Sequence, residues 1–140
     1  LQQSILIVGC TFHDIALTPD VLLLSDESGF QAILDNKAYH KYTINNDHYN
    51  RMVHNYIGNI DNYSKSDKPL AFFSYIAGGF GSNIDKQLKN IVDATDVNGS
   101  AVSVSNVIKM VEQHREKPYT HQRIKDIFSV NRQVLMKDIV

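Results

Sequence analysis

The chain has 140 residues, the usual size of one compact domain. Hydrophobic residues make up 43% of it, charged residues 21%, and there are only three prolines, a composition that excludes disordered and fibrous proteins. Fourteen basic residues stand against fifteen acidic ones, so no long-range field attracts a polyanion, and any contact with nucleic acid must be local. No apolar run approaches the roughly 18 residues of a membrane span, so we expect no membrane partner.

Two further features concern the cellular setting and the extent of the chain. Cys10 is the only cysteine, which excludes an internal disulfide framework and favours a reducing compartment, so we expect a cytoplasmic protein. Residue 1 is Leu, and an apolar run follows within a few residues. We therefore expect residues 1–140 to form one domain cut from a longer protein.

Three short strands are predicted in the first part of the chain. Residues 5–8 and 21–24 are apolar runs bounded by Gly, Asp and Ser, which is typical of buried strands, although the first could equally end a helix. Residues 30–39 begin with an apolar and polar alternation and follow a Ser28-Gly29 turn. The second and third strands should therefore form a hairpin.

The middle of the chain predicts a helix and then a central strand. From Asp47 onward, apolar residues recur every three or four positions and form one helical stripe. The stripe consists of Tyr49, Met52, Val53, Tyr56, Ile57 and Ile60. After a polar connection, Leu70–Ala77 is a continuous apolar run, as expected for a strand buried on both faces.

Later elements alternate between helix and strand. Ser82 is a candidate cap for a helix carrying Ile84 and Leu88, and Asn98-Gly99 separates that helix from a strand at residues 101–104. The caps of the last two helices are Ser105 or Ser103 for the first and Thr120 for the second. The alternation predicts an α/β (α+β) fold with a mixed central sheet flanked by helices.

Two acidic residues and a lysine are the candidates for chemistry. Asp20 precedes one strand of the hairpin, while Asp35 and Lys37 lie near the end of the next, on one face because they are two positions apart. Carboxylates that converge in this way suit Mg²⁺, and a lysine beside them could offset charge on an attacked phosphodiester. A solvated ion pair at a strand end is the alternative that the spacing leaves open.

A family resemblance bears on that alternative. Pro19-Asp20, a hairpin and then Asp35-Asn36-Lys37 resemble the PD-(D/E)XK nuclease signature, and residues 35–39 are similar to the catalytic segment of FokI-type cleavage domains of type IIS restriction enzymes. Residues 72–81 and 98–104 resemble the same domains in order and approximate spacing. The resemblance extends from about residue 8 to residue 128.

The resemblance implies a restriction-endonuclease-like fold and metal-dependent hydrolysis of DNA to 5'-phosphate and 3'-hydroxyl ends. It implies that Asp20, Asp35 and the backbone carbonyl of Asn36 bind one or two Mg²⁺ ions, and that Lys37 is the catalytic lysine. Asn36 stands where the family has a small hydroxyl residue, which leaves the carbonyl ligand unaffected. The implied partners are double-stranded DNA, an upstream recognition domain of the same protein and a second copy in a transient homodimer.

Several residues around this signature have two interpretations. His40 and Lys41 could contact a DNA phosphate or belong to a solvated loop. Gly79 and Gly81 lie between a strand and a helix, where exposed amides can bind phosphate, although a tight turn is the simpler interpretation.

The resemblance also places a dimer contact on the helix after the signature. Asp47 and Arg51 are spaced to form that contact, although the closest alignment selects Asn50 and His54, and an ordinary intrahelical ion pair is the alternative. At the level of function, the alternatives are another nuclease of the superfamily, acting in repair or junction resolution, and a non-catalytic DNA-binding or assembly module that keeps the fold.

Overall fold

The computed structural model describes residues 5–9 and 19–140. Within these residues, five strands form one sheet in the order β1-β2-β3-β4-β5. They are β1 Ile5–Gly9, β2 Val21–Ser25, β3 Phe30–Asn36, β4 Leu70–Ala77 and β5 Asn98–Ser103. The first three strands pair antiparallel and the last three parallel, so the predicted mixed sheet is confirmed.

The predicted hairpin is confirmed, but its second strand is shorter than predicted. β2 and β3 pair from Val21 opposite Leu34 to Ser25 opposite Phe30, and Gly29 turns the chain with a positive φ of 66°. β3 ends at Asn36 and not at residue 39. The amide of Lys37 still donates to the carbonyl of Ile76 in β4, and the chain then turns away as the amide of residue 39 donates to the carbonyl of residue 37.

Helices cover both faces of the sheet. Their bounds are α1 Asn46–Asn50, α2 Ile60–Tyr63, α3 Ile84–Thr95, α4 Val104–Glu116, α5 His121–Phe128 and α6 Met136–Ile139. Alternate residues of the central strands point to opposite faces, so Phe73 packs under α3 while its neighbour Phe72 packs under α5. We call these the α1/α3 face and the α4–α6 face. Within the described residues, no helix is long and apolar enough to cross a membrane.

The helix predicted from Asp47 onward is interrupted. α1 passes into a π-helical segment at Arg51–Tyr56 and a 3₁₀ turn at Ile57–Asn59 before α2 begins. Gly58 accommodates this path, since a Cβ there would lie 2.8 Å from the carbonyl oxygen of residue 53. The apolar stripe still faces the sheet, with Met52 and Tyr56 buried, because both residues remain on one side of the wider turn.

Three boundaries in the second half correct the predictions. No side chain caps α3, whose preceding residue is Asn83, so the Ser82 cap was wrong. β5 begins at Asn98 and ends before Val104, which already belongs to α4. Gly99 is part of the strand and not a break before it, since a Cβ there would lie 2.1 Å from the ring of Phe73.

The predicted caps of the last two long helices are confirmed. Ser103 caps α4 by accepting a hydrogen bond from the amide of residue 106 at 3.2 Å, which decides between the two serines considered. Thr120 caps α5 in the same way, with the amide of residue 123 at 3.0 Å. The sequence pattern did not predict the short helix α6, which follows these two.

Candidate active site

The hairpin brings the start of β2 to the end of β3. Asp20 lies directly before β2, and its Oδ2 accepts a hydrogen bond of 2.8 Å from the amide of Asn36. This bond joins two residues that are sixteen positions apart, so it depends on the register of the hairpin. It also holds the Asn36 backbone beside the Asp20 carboxylate.

Asp35 and Lys37 complete a cluster that we call the carboxylate site: Asp20, Asp35 and Lys37. The Lys37 Nζ lies 2.9 Å from the Asp35 Oδ2, and Asp35 is only 3% exposed. Burial raises the pKa of Asp35 and outweighs the opposing Lys37 charge, while the Asp20 carboxylate, close enough to share a hydrogen bond, raises this pKa further. The structure therefore brings together the three residues that the sequence predicts.

The chemistry of this site fits a hard divalent cation. Two carboxylates meet beside the Asn36 backbone, and one lysine compensates only part of their negative charge. Among the described residues there is no group of three or more His, Cys, Asp or Glu side chains that could hold a metal. Two carboxylates are nevertheless what Mg²⁺ typically takes from a protein when substrate phosphate and water supply the remaining ligands.

Three buried tyrosines surround Asp35, and sequence reasoning did not find them as part of the site. Tyr75 lies opposite Asp35 in the β3–β4 register, and Tyr42 and Tyr56 pack in the same core cluster. Burial raises the pKa of each, and the Asp35 charge adds to the effect. The Tyr75 hydroxyl has no hydrogen-bond partner within residues 19–140. The Asp35 carboxylate therefore lies near buried phenol side chains, where little water reaches it.

Tyr42 also connects the site to α1. Its hydroxyl shares a hydrogen bond of 2.8 Å with the Nδ1 of His48, and the Lys37 Nζ lies 6.0 Å from the centre of its ring. Burial lowers the pKa of His48, and the positive charges of Lys37 and Arg51 lower it further. His48 is thus favoured in its neutral form next to the lysine of the site.

The glycines after β4 hold the loop that follows Lys37. The amide of Tyr42 donates to the carbonyl of Gly79, and the amide of Gly81 donates to the carbonyl of Tyr42, both at 2.9 Å. A Cβ on Gly79 would lie 2.5 Å from the carbonyl oxygen of His40. The structure supports the packing interpretation of these glycines, and a phosphate contact stays a prediction. His40 and Lys41 are exposed on this loop.

The residues predicted for a dimer contact lie in α1, which holds Asp47 and Asn50, and in the π-helical segment after it, which holds Arg51 and His54. Asp47 and Arg51 form an intrahelical ion pair of 3.0 Å, in which Asp47 is 77% exposed and Arg51 30% exposed. Asn50 and His54 are exposed. The intrahelical pair is therefore present, and a contact with a second copy stays a prediction.

Comparisons with known proteins bear on the family and the fold of this chain. The family model described as the FokI cleavage domain matches residues 12–135. A solved structure of restriction endonuclease FokI superposes with a TM-score of 0.79 at 18% identity, covering 94% of this chain and 25% of that one. The structure of FokI bound to DNA gives 0.74 at 20% identity with the same coverage.

These likenesses show a shared fold, and this chain spans about a quarter of the length of the solved FokI chains that it matches. No curated protein gives a significant match.

Proposed function

Because the chain belongs to the FokI cleavage-domain family, we propose that it is a Mg²⁺-dependent DNA endonuclease domain of the type II restriction class. The observation that carries this proposal is the convergence of Asp20 and Asp35 beside Lys37, since the Asp20 Oδ2 accepts from the Asn36 amide at 2.8 Å and the Lys37 Nζ lies 2.9 Å from the Asp35 Oδ2. Two carboxylates at one end of a hairpin are unfavourable in a merely structural site, because like charges raise each other's free energy. A bound cation would remove that penalty.

Asp20, Asp35 and the Asn36 carbonyl are the groups that would hold the ion. Mg²⁺ bound there would supply Lewis-acid polarisation of the phosphodiester and assist formation of the attacking nucleophile. The protein's own contribution is geometric, since the Asn36 amide fixes the Asp20 carboxylate and burial fixes Asp35. Groups held in this way need little reorganisation when substrate binds.

Lys37 has a role of its own in the proposed reaction. Its ammonium is held by Asp35 at 2.9 Å, and its side chain is 12% exposed, so it can reach a substrate at the surface while remaining in place. We infer that it donates a hydrogen bond to the attacking water or to a phosphate oxygen, where negative charge grows in the transition state. The products would be a 5'-phosphate and a 3'-hydroxyl.

The proposed substrate is double-stranded DNA, and FokI has been solved bound to DNA. The net charge of −1 implies that few phosphates are neutralised, and non-specific binding depends on that number. The domain alone should therefore bind duplex DNA weakly and without sequence preference. We propose that sequence recognition comes from an upstream domain of the same protein.

A nicking assay on supercoiled plasmid tests the proposal. We expect Mg²⁺-dependent nicking by the natural chain and none by Asp20→Asn. The matched control is Asp93→Asn, which removes an exposed carboxylate paired with Lys89 on α3. A thermal shift on adding Mg²⁺, present in the control and lost in Asp20→Asn, would report binding directly. Equal nicking by Asp20→Asn, or an unaltered Mg²⁺ shift, would contradict the assignment of the site.

Cleavage of both strands requires a second site, since one carboxylate site addresses one scissile phosphate and the strands are antiparallel. We propose a transient homodimer through the helical residues 46–59, with Asp47 and Arg51 exchanging their ion pair between copies. Arg51→Asp should slow double-strand cleavage more than nicking, and mixing it with Asp47→Arg should restore part of the rate. Double-strand cleavage that is independent of protein concentration would overturn the dimer.

A further inference from the structure

The Lys37 ammonium has a ring beside it as well as a carboxylate. Its Nζ lies 2.9 Å from the Asp35 Oδ2 and 6.0 Å from the centre of the Tyr42 ring. An ammonium over an aromatic face is attracted by the ring, and the attraction is larger where water is excluded. Tyr42 is 2% exposed and the Lys37 side chain 12%, so both groups lie mostly out of water. The carboxylate and the ring together therefore fix the place of the ammonium.

The orientation of the Tyr42 ring depends in turn on His48. The Tyr42 hydroxyl and the His48 Nδ1 are 2.8 Å apart, and the two rings stack with centroids 5.6 Å apart and an interplanar angle of 28°. Tyr39, Tyr75 and Phe80 contact the same ring through aromatic faces and edges. Burial raises the pKa of Tyr42, so the phenol stays protonated and can donate. A neutral His48 accepts this hydrogen bond at Nδ1 and carries its own hydrogen on Nε2.

Protonation of His48 would change this arrangement. A protonated imidazole has hydrogens on both nitrogens, so Nδ1 can no longer accept and the buried phenol loses the acceptor for its proton. The new charge would be repelled by Lys37, which follows β3, and by Arg51, whereas Asp47 would attract it. Burial and the two cations lower the pKa of His48 and outweigh the effect of Asp47. The neutral form is therefore the form that fits beside the lysine.

We propose that neutral His48 is a positioning residue for Lys37, which it holds through the Tyr42 ring in the place where the ammonium meets the reacting phosphate. Cleavage should then fall as His48 becomes protonated, even where the carboxylate site still binds its cation. This inference rests on the proposed function, because it concerns the position of Lys37 in that reaction. It leaves the duplex substrate unchanged, since His48 acts on Lys37 through Tyr42.

Variants at position 48 separate the hydrogen bond from the charge. His48→Leu removes the acceptor, whereas His48→Asn keeps a side-chain oxygen near the place of Nδ1 and cannot become charged. At about pH 8 we expect His48→Leu to slow Mg²⁺-dependent nicking by roughly 10-fold, with His48→Asn restoring most of the rate and the Mg²⁺ thermal shift kept in both. As pH falls to about 5, the natural chain should lose rate relative to His48→Asn. The control His114→Asn, at an exposed residue of α4, should follow the natural chain at every pH.

Nuclear magnetic resonance on the metal-free chain tests the positioning without cleavage. The ring nitrogens of His48 report its tautomer and its titration, and the Nζ signal of Lys37 reports the surroundings of the ammonium. In the natural chain the Lys37 signal should shift at the pH where His48 titrates, in addition to any shift caused by Asp35. His48→Asn should lack the first shift. In Tyr42→Phe, which keeps the ring and removes the hydroxyl, His48 should still titrate while most of the Lys37 response to it is lost.

Three results would overturn the inference. They are full nicking by His48→Leu at pH 8, identical pH profiles of the natural chain and His48→Asn, and an undiminished Lys37 response in Tyr42→Phe, which would indicate that the His48 charge acts directly through space. If His48→Leu fails to fold, the His48→Asn profile and the Tyr42→Phe spectra still decide the question. If Lys37 follows His48 through Tyr42 but the natural chain does not nick DNA, the proposed function fails while the positioning stands.

Discussion

On the α1/α3 face, Asp35 lies beside Lys37, and on the α4–α6 face, Asp138 lies beside Arg132. Two Arg132 nitrogens each lie 2.7 Å from an Asp138 oxygen, and the amide of Leu135 adds a third hydrogen bond. These hydrogen bonds lower the pKa of Asp138 to about 2. Burial instead raises the pKa of Asp35 despite its lysine.

The difference shows for which of the two carboxylates the chain itself compensates the negative charge. Asp138 receives a bidentate guanidinium and a backbone amide, so its negative charge is fully compensated within the chain. Asp35 and Asp20 have only the Lys37 ammonium beside them, so part of their negative charge remains uncompensated. The Arg132–Asp138 pair is therefore expected to stabilise the fold, whereas we propose that the carboxylate site binds a cation.

The largest effect is expected from Asp35→Asn. It should reduce Mg²⁺-dependent nicking by more than about 100-fold, since even groups that only support a metal ligand typically contribute 10- to 100-fold. The free energy of unfolding in EDTA should not fall, because the amide removes a buried charge that repels Asp20. Urea unfolding with parallel nicking assays would measure both. Strong destabilisation without metal, or retained nicking, would remove the contrast between the two faces.

Asp138→Asn should show the opposite pattern, with nicking unchanged and the free energy of unfolding lowered by about 1–2 kcal/mol near neutral pH. The folded pKa of about 2 lies below the ordinary 3.8, so the contribution is present above 3.8 and is lost as pH falls towards 2. Unfolding in urea as a function of pH would test this. The natural chain and the variant should converge in stability at the acid end, and parallel curves would contradict the assignment.

The smallest effect is expected at the N-terminal ends of two helices, α5 on one face and α3 on the other. Thr120→Ala should lower the free energy of unfolding by about 1 kcal/mol, because it removes the hydrogen bond that caps α5. Asn83→Ala, before α3, should change it by only a few tenths of a kcal/mol, since no side chain caps that helix. Equal losses would show that Asn83 contributes in a way that the structure does not show.

Patterns within a few residues predicted much of this protein. The hairpin follows from two apolar runs around Ser28-Gly29, and the caps Ser103 and Thr120 follow from hydroxyl residues placed before apolar periodicity. The convergence of Asp20 with Asp35 and Lys37 follows from hairpin register, which brings the start of one strand to the end of the next. The family could also be identified from the sequence, because each part of its signature is a run of two or three residues.

Contacts between distant segments decided the rest. The sequence alone determined which residues could carry charge into the site, because strand alternation and helix spacing depend only on near neighbours. Only the tertiary structure placed Tyr42 and Tyr75 around Asp35, since this depends on the β3–β4 pairing and on the glycine loop that holds residues 39–43. The same reason explains the early start of β5, where Gly99 leaves room for the ring of Phe73, because a packing partner 26 positions away leaves no periodic signal.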